Sequence, residues 1–335
     1  MIASLPSTDT VLVTGCAGFI GSHVVEELLR SHNAVVGVDN FSTGRMENLA
    51  NVIEDSRFSI QRTDLTDTVA FRRVLEQVRP SAIIHLAALV SVPQADRDPD
   101  YNFRINIEAT HVLAETAAKL GVRRIVMASS AAVYGDAHQG ALHEDLMPCP
   151  LGRYGAAKLI SEQILAVAAR VGGASASCLR FFNVFGPRQD PSSPYSGVLS
   201  KFVDLGRQGK ALTIFGDGEQ TRDFVAVRDV ARACVAAALE SEARVEIANV
   251  CTGAEVSLNS IATMIQRLVP DLPAPVYLPA RENDIKRSCG NPDRARTWWG
   301  FEAKAPEKAL QDFLVGALGS SGSPNWCDRL HKDAA

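Results

Sequence analysis

The chain has 335 residues, 46% hydrophobic and 21% charged, with a net charge of −4 and no lysine–arginine block. That is the balance of a globular protein of about two domains; it argues against a nucleic-acid surface and makes a small molecule the expected partner. Its longest apolar runs are interrupted by Gly, His or Ser and fall short of a membrane span. The seven cysteines show no CxxC pairing, so neither a disulfide framework nor a metal site is indicated. The opening "MIASLPSTDT" carries no basic stretch ahead of an apolar one, and a cytoplasmic protein is the expectation.

The first predicted strand, "TVLVTG", runs into "GCAGFIG", where Gly15, Gly18 and Gly21 open directly into a helix from Ile20 to Arg30. Gly15 suits a tight turn, Gly18 admits a pyrophosphate against the backbone, and Gly21 permits close helix–sheet packing, with the helix N-terminus favouring the anion. The second strand, "AVVGVD", ends in Asp39, spaced from the glycines as an acid that bonds a ribose diol. Asp39 followed by Asn40 implies NAD, because a carboxylate repels a 2′-phosphate. After the third strand, "FSIQRTD", Asp64 reads either as an adenine contact or as the cap of a helix beginning near Thr66, with the periodic stretch Thr68 to Val78 behind it.

The chain continues through "AIIHLAA", a helix from Ile105 to Leu120, "RRIVMASS", and "SASCLRFFNVFG". Apolar strands alternating with helices predict an α/β fold, a doubly wound parallel Rossmann sheet with a smaller, partly interleaved α/β substrate-binding domain. The expected division is an NAD-binding domain over 1–185, with a return segment at about 225–255 that includes "VEIANV", and a substrate domain over 186–335. The tail "GSSGSPNWCDRLHKDAA" reads as a weakly ordered end.

Two further stretches carry chemistry. In "YGAAK", Tyr154 and Lys158 share a helix face, and an adjacent ammonium favours the phenolate a general base needs. In "ASSAAVYG", no GxSxG elbow surrounds Ser130, so acyl transfer is disfavoured.

Taken together, GxxGxxG, "HLAA" at 85–88, "SSAAVYG" at 129–135 and YxxxK at 154–158 resemble the extended short-chain dehydrogenase/reductase family. Within it the chain is similar to the NAD-dependent nucleotide-sugar epimerases and dehydratases, most of all the UDP-hexose 4-epimerases, from about Val11 to about Trp299. The resemblance implies that Tyr154 is the catalytic base, that Lys158 binds the nicotinamide ribose and that Ser130 relays the proton, with Ser129 a structural strand-end residue. It adds Phe19, Ile20, Leu65, Leu86, Ala87, Ala88 and Asn106 to the NAD contacts.

Family members that eliminate water carry Asp-Glu where this chain has Ala131 and Ala132, and decarboxylases carry a Glu there. Lacking those groups, a ketone intermediate is expected to turn over and accept hydride on its other face, which is epimerisation. For the UDP-sugar the resemblance implies Ser91, Asn183, Gly197, Val198, Phe215, Arg222, Arg281, Asp284 and Ser288. The small Ser288 suits an N-acetylated sugar, Val90 is bulkier than a strict N-acetylhexosamine enzyme would carry, and Lys286 with Arg287 keep UDP-glucuronate open. A homodimer through helices at about 104–120 and 153–170 is also implied. A 4,6-dehydratase and a catalytically silent NAD-binding protein are the rival readings.

Overall fold

The computed structural model describes residues 10–138, 140–190, 197–242, 244–280 and 285–319. In its first half β1 (Thr10–Thr14), α1 (Phe19–Arg30), β2 (Ala34–Asp39), β3 (Phe58–Arg62), α2 (Thr68–Val78) and β4 (Ala82–His85) alternate along the chain. They are followed by α3 (Val92–Arg97), α4 (Pro99–Asn102), a π-helical stretch at Phe103–Glu108, α5 (Ala109–Leu120) and β5 (Arg124–Ser130). After a 3-10 turn at Ala131–Val133 come α6 (Arg153–Gly172), β6 (Ser175–Phe181) and β7 (Asn183–Phe185).

The second half holds α7 (Val198–Arg207), β8 (Thr213–Phe215), β9 (Thr221–Arg222), β10 (Phe224–Ala226), α8 (Val227–Leu239) and β11 (Val245–Val250). It ends with β12 (Val256–Ser257), α9 (Leu258–Leu268), β13 (Val276–Leu278), β14 (Arg287–Ser288), α10 (Asp293–Trp299) and α11 (Pro306–Leu318).

The main sheet has seven strands in the order β11-β6-β5-β4-β1-β2-β3, every neighbouring pair parallel. The expected return of "VEIANV" to this sheet is observed as β11 beside β6. Both faces are covered. One side packs Val11, Val13, Ile84 and Val126 against Val24, Val25 and Leu28 of α1 and Val230, Cys234 and Ala237 of α8. The other packs Leu12, Ile83, Ile125 and Met127 against Phe71 of α2, Leu113 of α5 and Leu165 of α6. That explains why the strands read as unbroken apolar runs, each buried aliphatic contributing about 1.5–3 kcal/mol. A separate core of Phe185, Phe202, Ile214, Phe224, Ile261 and Phe313 joins α7, α9 and α11 over the short strands.

Strand order reverses between β1 and β4, and ligands of open α/β sheets bind beyond the carboxyl ends of the strands at that switch point. The glycine turn follows β1, Asp39 ends β2, Leu86–Ala88 follow β4, and Ser130 ends β5, all at that edge. Among the described residues, no helix is long and apolar enough to cross a membrane.

Candidate active site

The glycine turn has the shape the sequence asks for. Gly15 adopts φ +69, and a Cβ on it would lie 2.8 Å from the Ala87 nitrogen, so the turn presses directly on the end of "HLAA". A Cβ on Gly21 would overlap the Gly15 carbonyl, and one on Gly18 would sit 3.2 Å from that same oxygen. The N-cap of α1 is Gly18, with no side-chain cap bond, which leaves first-turn N–H groups facing the loop for an anion. Phe19 and Ile20 are half-buried at that terminus.

Asp39 is buried at the end of β2, its Oδ2 accepting from Ala17 N at 2.9 Å and its Oδ1 from Phe41 N at 2.8 Å. Each oxygen keeps a lone pair, the pattern needed to accept from two ribose hydroxyls. Asn40 Nδ2 donates to Asp64 Oδ2 at 3.0 Å, while Asp64 Oδ1 takes Thr66 N at 2.8 Å and the Thr66 hydroxyl at 2.7 Å. Burial pushes the Asp64 carboxyl up, but the Thr66 and Asn40 donors outweigh it and hold it below its ordinary value. The capping alternative for Asp64 is corrected: α2 starts at Thr68, and its N-cap is Asp67, which accepts from Ala70 N. Leu65 is buried, and Leu86, Ala87 and Ala88 are half-buried beyond β4.

A fully buried histidine that the sequence reading passed over fixes this floor. Thr14 Oγ1 accepts from Leu86 N and Ala87 N, both at 3.1 Å, so its own proton goes to His85 Nδ1 at 2.8 Å. His85 is therefore the Nε2–H tautomer, donating to Thr110 Oγ1 at 3.2 Å, which donates to Asn106 O at 2.7 Å. Burial, helped by the Lys158 charge, pushes His85 down to about 3, so it stays a neutral strut. Asn106, on the π-helical stretch, spends its amide within the protein: Oδ1 accepts Leu89 N at 3.1 Å, and Nδ2 donates to Leu89 O at 3.0 Å and Asn102 Oδ1 at 2.8 Å. It clamps the chain just after "HLAA".

Ser130, Tyr154 and Lys158 come together where β5 ends. Ser130 caps the 3-10 turn, its Oγ accepting from Ala132 N at 3.2 Å, and it hydrogen-bonds the Tyr154 phenol. Gly155 is what allows this, since a Cβ there would lie 2.6 Å from the Ala132 carbonyl oxygen. Lys158, buried, donates to Ala128 O at 2.8 Å, with its nitrogen 6.0 Å from the Tyr154 ring centroid. Burial lowers Lys158 to about 8. The net result differs from the expected lowering: burial raises the Tyr154 phenol above its ordinary value, and the Ser130 hydrogen bond opposes that rise without overcoming it.

Asn183, Arg222 and Ser288, three of the residues assigned to the sugar nucleotide, meet at an acid that the sequence reading missed. Asp223, wholly buried, accepts Asn183 N at its carbonyl (3.0 Å) and donates its own N–H to Ser288 O (2.8 Å). Its carboxylate takes Thr252 N at 2.8 Å, Thr252 Oγ1 at 2.7 Å, Gly253 N at 2.9 Å and Gly290 N at 3.3 Å. Burial raises this carboxyl, with those donors opposing. Arg222 stands opposite Ser288 in the parallel β9–β14 pair, and β7 carries Asn183 alongside β10. Phe215, half-buried, ends β8 in a separate pair with β13. Gly197, exposed, is the N-cap of α7, and half-buried Val198 is its first residue. Ser91 is buried as the N-cap of α3, its Oγ accepting from Gln94 N at 3.1 Å, so its first role is to start that helix. Arg281 and Asp284 lie outside the described residues. Arg287 spends its guanidinium on Glu255, at 2.9 and 2.6 Å.

The uncapped helix terminus, the cradle a Cβ would fill and the acid at the end of β2 fit NAD. Residues 11–251 match the NAD dependent epimerase/dehydratase family. The UDP-glucose 4-epimerase of Mycolicibacterium smegmatis is 36% identical over 305 residues, 91% of this chain and 96% of that protein. Among solved structures, the UDP-N-acetylglucosamine 4-epimerase of Methanobrevibacter ruminantium superposes with a TM-score of 0.85 at 33% identity, covering 92% of this chain and 98% of that one. The UDP-glucuronic acid 4-epimerase of Bacillus cereus, solved with UDP-glucuronic acid and NAD, gives 0.82 at 30% identity, covering 91% and 98%. With its glycine turn, its buried acid at the end of β2 and its Ser130–Tyr154–Lys158 cluster, the chain belongs to the NAD dependent epimerase/dehydratase family, in its nucleotide-sugar epimerase group, as an NAD-dependent enzyme.

Proposed function

We propose that this enzyme interconverts UDP-GlcNAc and UDP-GalNAc, and also UDP-Glc and UDP-Gal, by 4-epimerisation through a transient 4-keto sugar. Tyr154, working with Ser130, takes the proton from the sugar 4-hydroxyl and later returns it. The Gly15–Gly18–Gly21 turn and Asp39 would hold NAD, which would supply the hydride acceptor and donor for the ring carbon. Lys158 holds positive charge beside the phenol, and burial keeps water from the exchange. On this reading the division into an NAD domain (1–185, returning at about 225–255) and a substrate domain (186–335) leaves the sugar between the two.

The observation that carries the choice of reaction is the Ser130 turn itself. Ala131 and Ala132 occupy the positions from which a dehydratase would remove a second proton, and they bring no acid or base. The choice of sugar rests on Ser288, small and buried opposite Arg222, where an acetamido group needs room. The engagement of Arg287 with Glu255 counts against a glucuronate carboxylate there, although Lys286 is exposed.

The test is incubation with UDP-GlcNAc, UDP-Glc and UDP-glucuronate separately, with products read by NMR. The expected result is the 4-epimer of the first two without net NADH; a 4-keto-6-deoxy product would overturn the reading. Ser288→Tyr is expected to reduce turnover of UDP-GlcNAc by about 10–200-fold relative to UDP-Glc, the discrimination a pocket gains from bulk. An unchanged ratio removes the substrate assignment. The exposed stripe Ile160, Val167 and Val171 on α6, beside α5, suits a second copy of the chain, and sedimentation of the protein should give twice the monomer mass.

A further inference from the structure

Under the catalytic turn runs a buried polar row that neither the cofactor loop nor the sugar-facing residues explain. Ser129 on β5, Arg180 on β6 and Asn249 on β11 stand in register across three neighbouring strands. Glu162 lies one helical turn beyond Lys158 on α6, the third member of a stripe that begins at Tyr154. Its carboxylate accepts the Ser129 hydroxyl at 2.5 Å and two Arg180 N–H groups at 2.9 and 2.8 Å. The Arg180 guanidinium lies 4.7 Å from the Tyr134 ring centroid, and the Tyr134 hydroxyl donates to Asn249 Oδ1 at 2.7 Å. Asn249 Nδ2 then reaches Leu142 O at 2.8 Å, and Leu142 N donates to Cys289 O, next to Ser288.

Stability is a poor account of such a row. Desolvating an ion pair costs about what the pairing returns, and apolar residues of the same volume would pack as well. What the row touches is more telling. Ser129 sits between Ala128, whose carbonyl holds Lys158, and Ser130, which meets the phenol. A grip on Ser129 therefore fixes both attachment points at once. Glu162 also opposes the effect of burial on Lys158. The other titratable groups acting on or beside that ammonium are Tyr154 on its own helix, Cys178 on β6 and His85 on β4. Burial keeps the Cys178 thiol and the His85 imidazole neutral, and Glu162 brings the carboxylate of the set, paired with Arg180.

We propose that Glu162 and Arg180, with Ser129, Tyr134 and Asn249, form a positioning device for catalysis, locking the Ser130 turn to α6 and linking it to the strand that carries Ser288. The proposal rests on the epimerase reading, and its test separates the two. Wild-type, Ser129→Ala, Tyr134→Phe and Glu162→Gln proteins are assayed with UDP-GlcNAc and UDP-Glc across pH, alongside thermal unfolding.

Ser129→Ala leaves the ion pair intact and is expected to lower kcat about 10-fold, the value of one hydrogen bond to a charged group, with KM unchanged. Glu162→Gln should move the break in the rate profile near pH 8 to lower pH, since Lys158 loses the anion that favours its charged form. Ser129→Ala and Tyr134→Phe, which change no charge, should leave that break in place. A merely structural role would lower the unfolding temperature without moving it. If Glu162→Gln does not fold, Ser129→Ala decides alone. Folded variants with wild-type kcat and profile overturn the positioning role while the epimerase stands; an inert wild type overturns both.

Discussion

Tyr154→Phe is expected to lower epimerisation by about 10²–10⁴-fold, the usual worth of a positioned general base, with NAD still bound and the unfolding temperature little changed. The substitution removes one oxygen. The ring is buried in the core on that face of the sheet, and phenylalanine preserves that packing, so the loss is chemical. The phenol partner is Ser130, whose hydroxyl also accepts Ala132 N, so the turn keeps its cap when the phenol goes. NAD retention follows because the glycine turn and Asp39 lie on β1 and β2, away from α6. Steady-state turnover of UDP-GlcNAc, with bound nicotinamide measured after desalting, checks both halves. Wild-type rates in the variant would remove the base assignment.

How much of this site the sequence discloses depends on whether the deciding contact is local. The glycine turn is local: three glycines between a β-branched run and an amphipathic helix dictate a backbone shape, and Gly15 and Gly21 take it. The helix Thr68–Val78 matches its periodic stretch end for end. Between β4 and α5 the agreement is looser: the helix expected from Ile105 is π-helical up to Glu108, and two short helices precede it, with Pro93 and Pro99 each in a first turn, where the missing N–H costs nothing.

Long-range polar contacts are the harder case. Glu162 on a helix and Asp223 before a strand read as solvent-facing charges. Their partners, Arg180 on the next strand and the Thr252–Gly253 turn, are set by sheet order that no local pattern encodes. The same limit explains the tyrosine. Spacing along α6 gives the proximity of Lys158 to Tyr154, but the depth at which both lie, which raises one and lowers the other, is a property of the assembled core.

That opposition makes the lysine responsible for the pH dependence. The proposed mechanism needs phenolate at Tyr154 with ammonium at Lys158, yet burial lowers Lys158 to about 8 and raises Tyr154 above its ordinary value. The lysine thus gives up its proton before the tyrosine does, and the working combination is a minority state. Below about pH 8 the lysine is charged and each pH unit brings about tenfold more phenolate, so the rate climbs. Above it, every gain in phenolate is cancelled by lost ammonium, and the rate levels off. The rising limb therefore ends at the pKa of Lys158, although the group gaining competence along it is Tyr154. Lys158→Met should abolish the break near pH 8, let the rate keep rising with pH, and lower kcat by about 10²–10³-fold through loss of a preorganised charge in a water-poor site. A Lys158→Met enzyme that retains the break shows that another group sets it, and one that retains wild-type kcat shows that the ammonium does not assist the proton transfer.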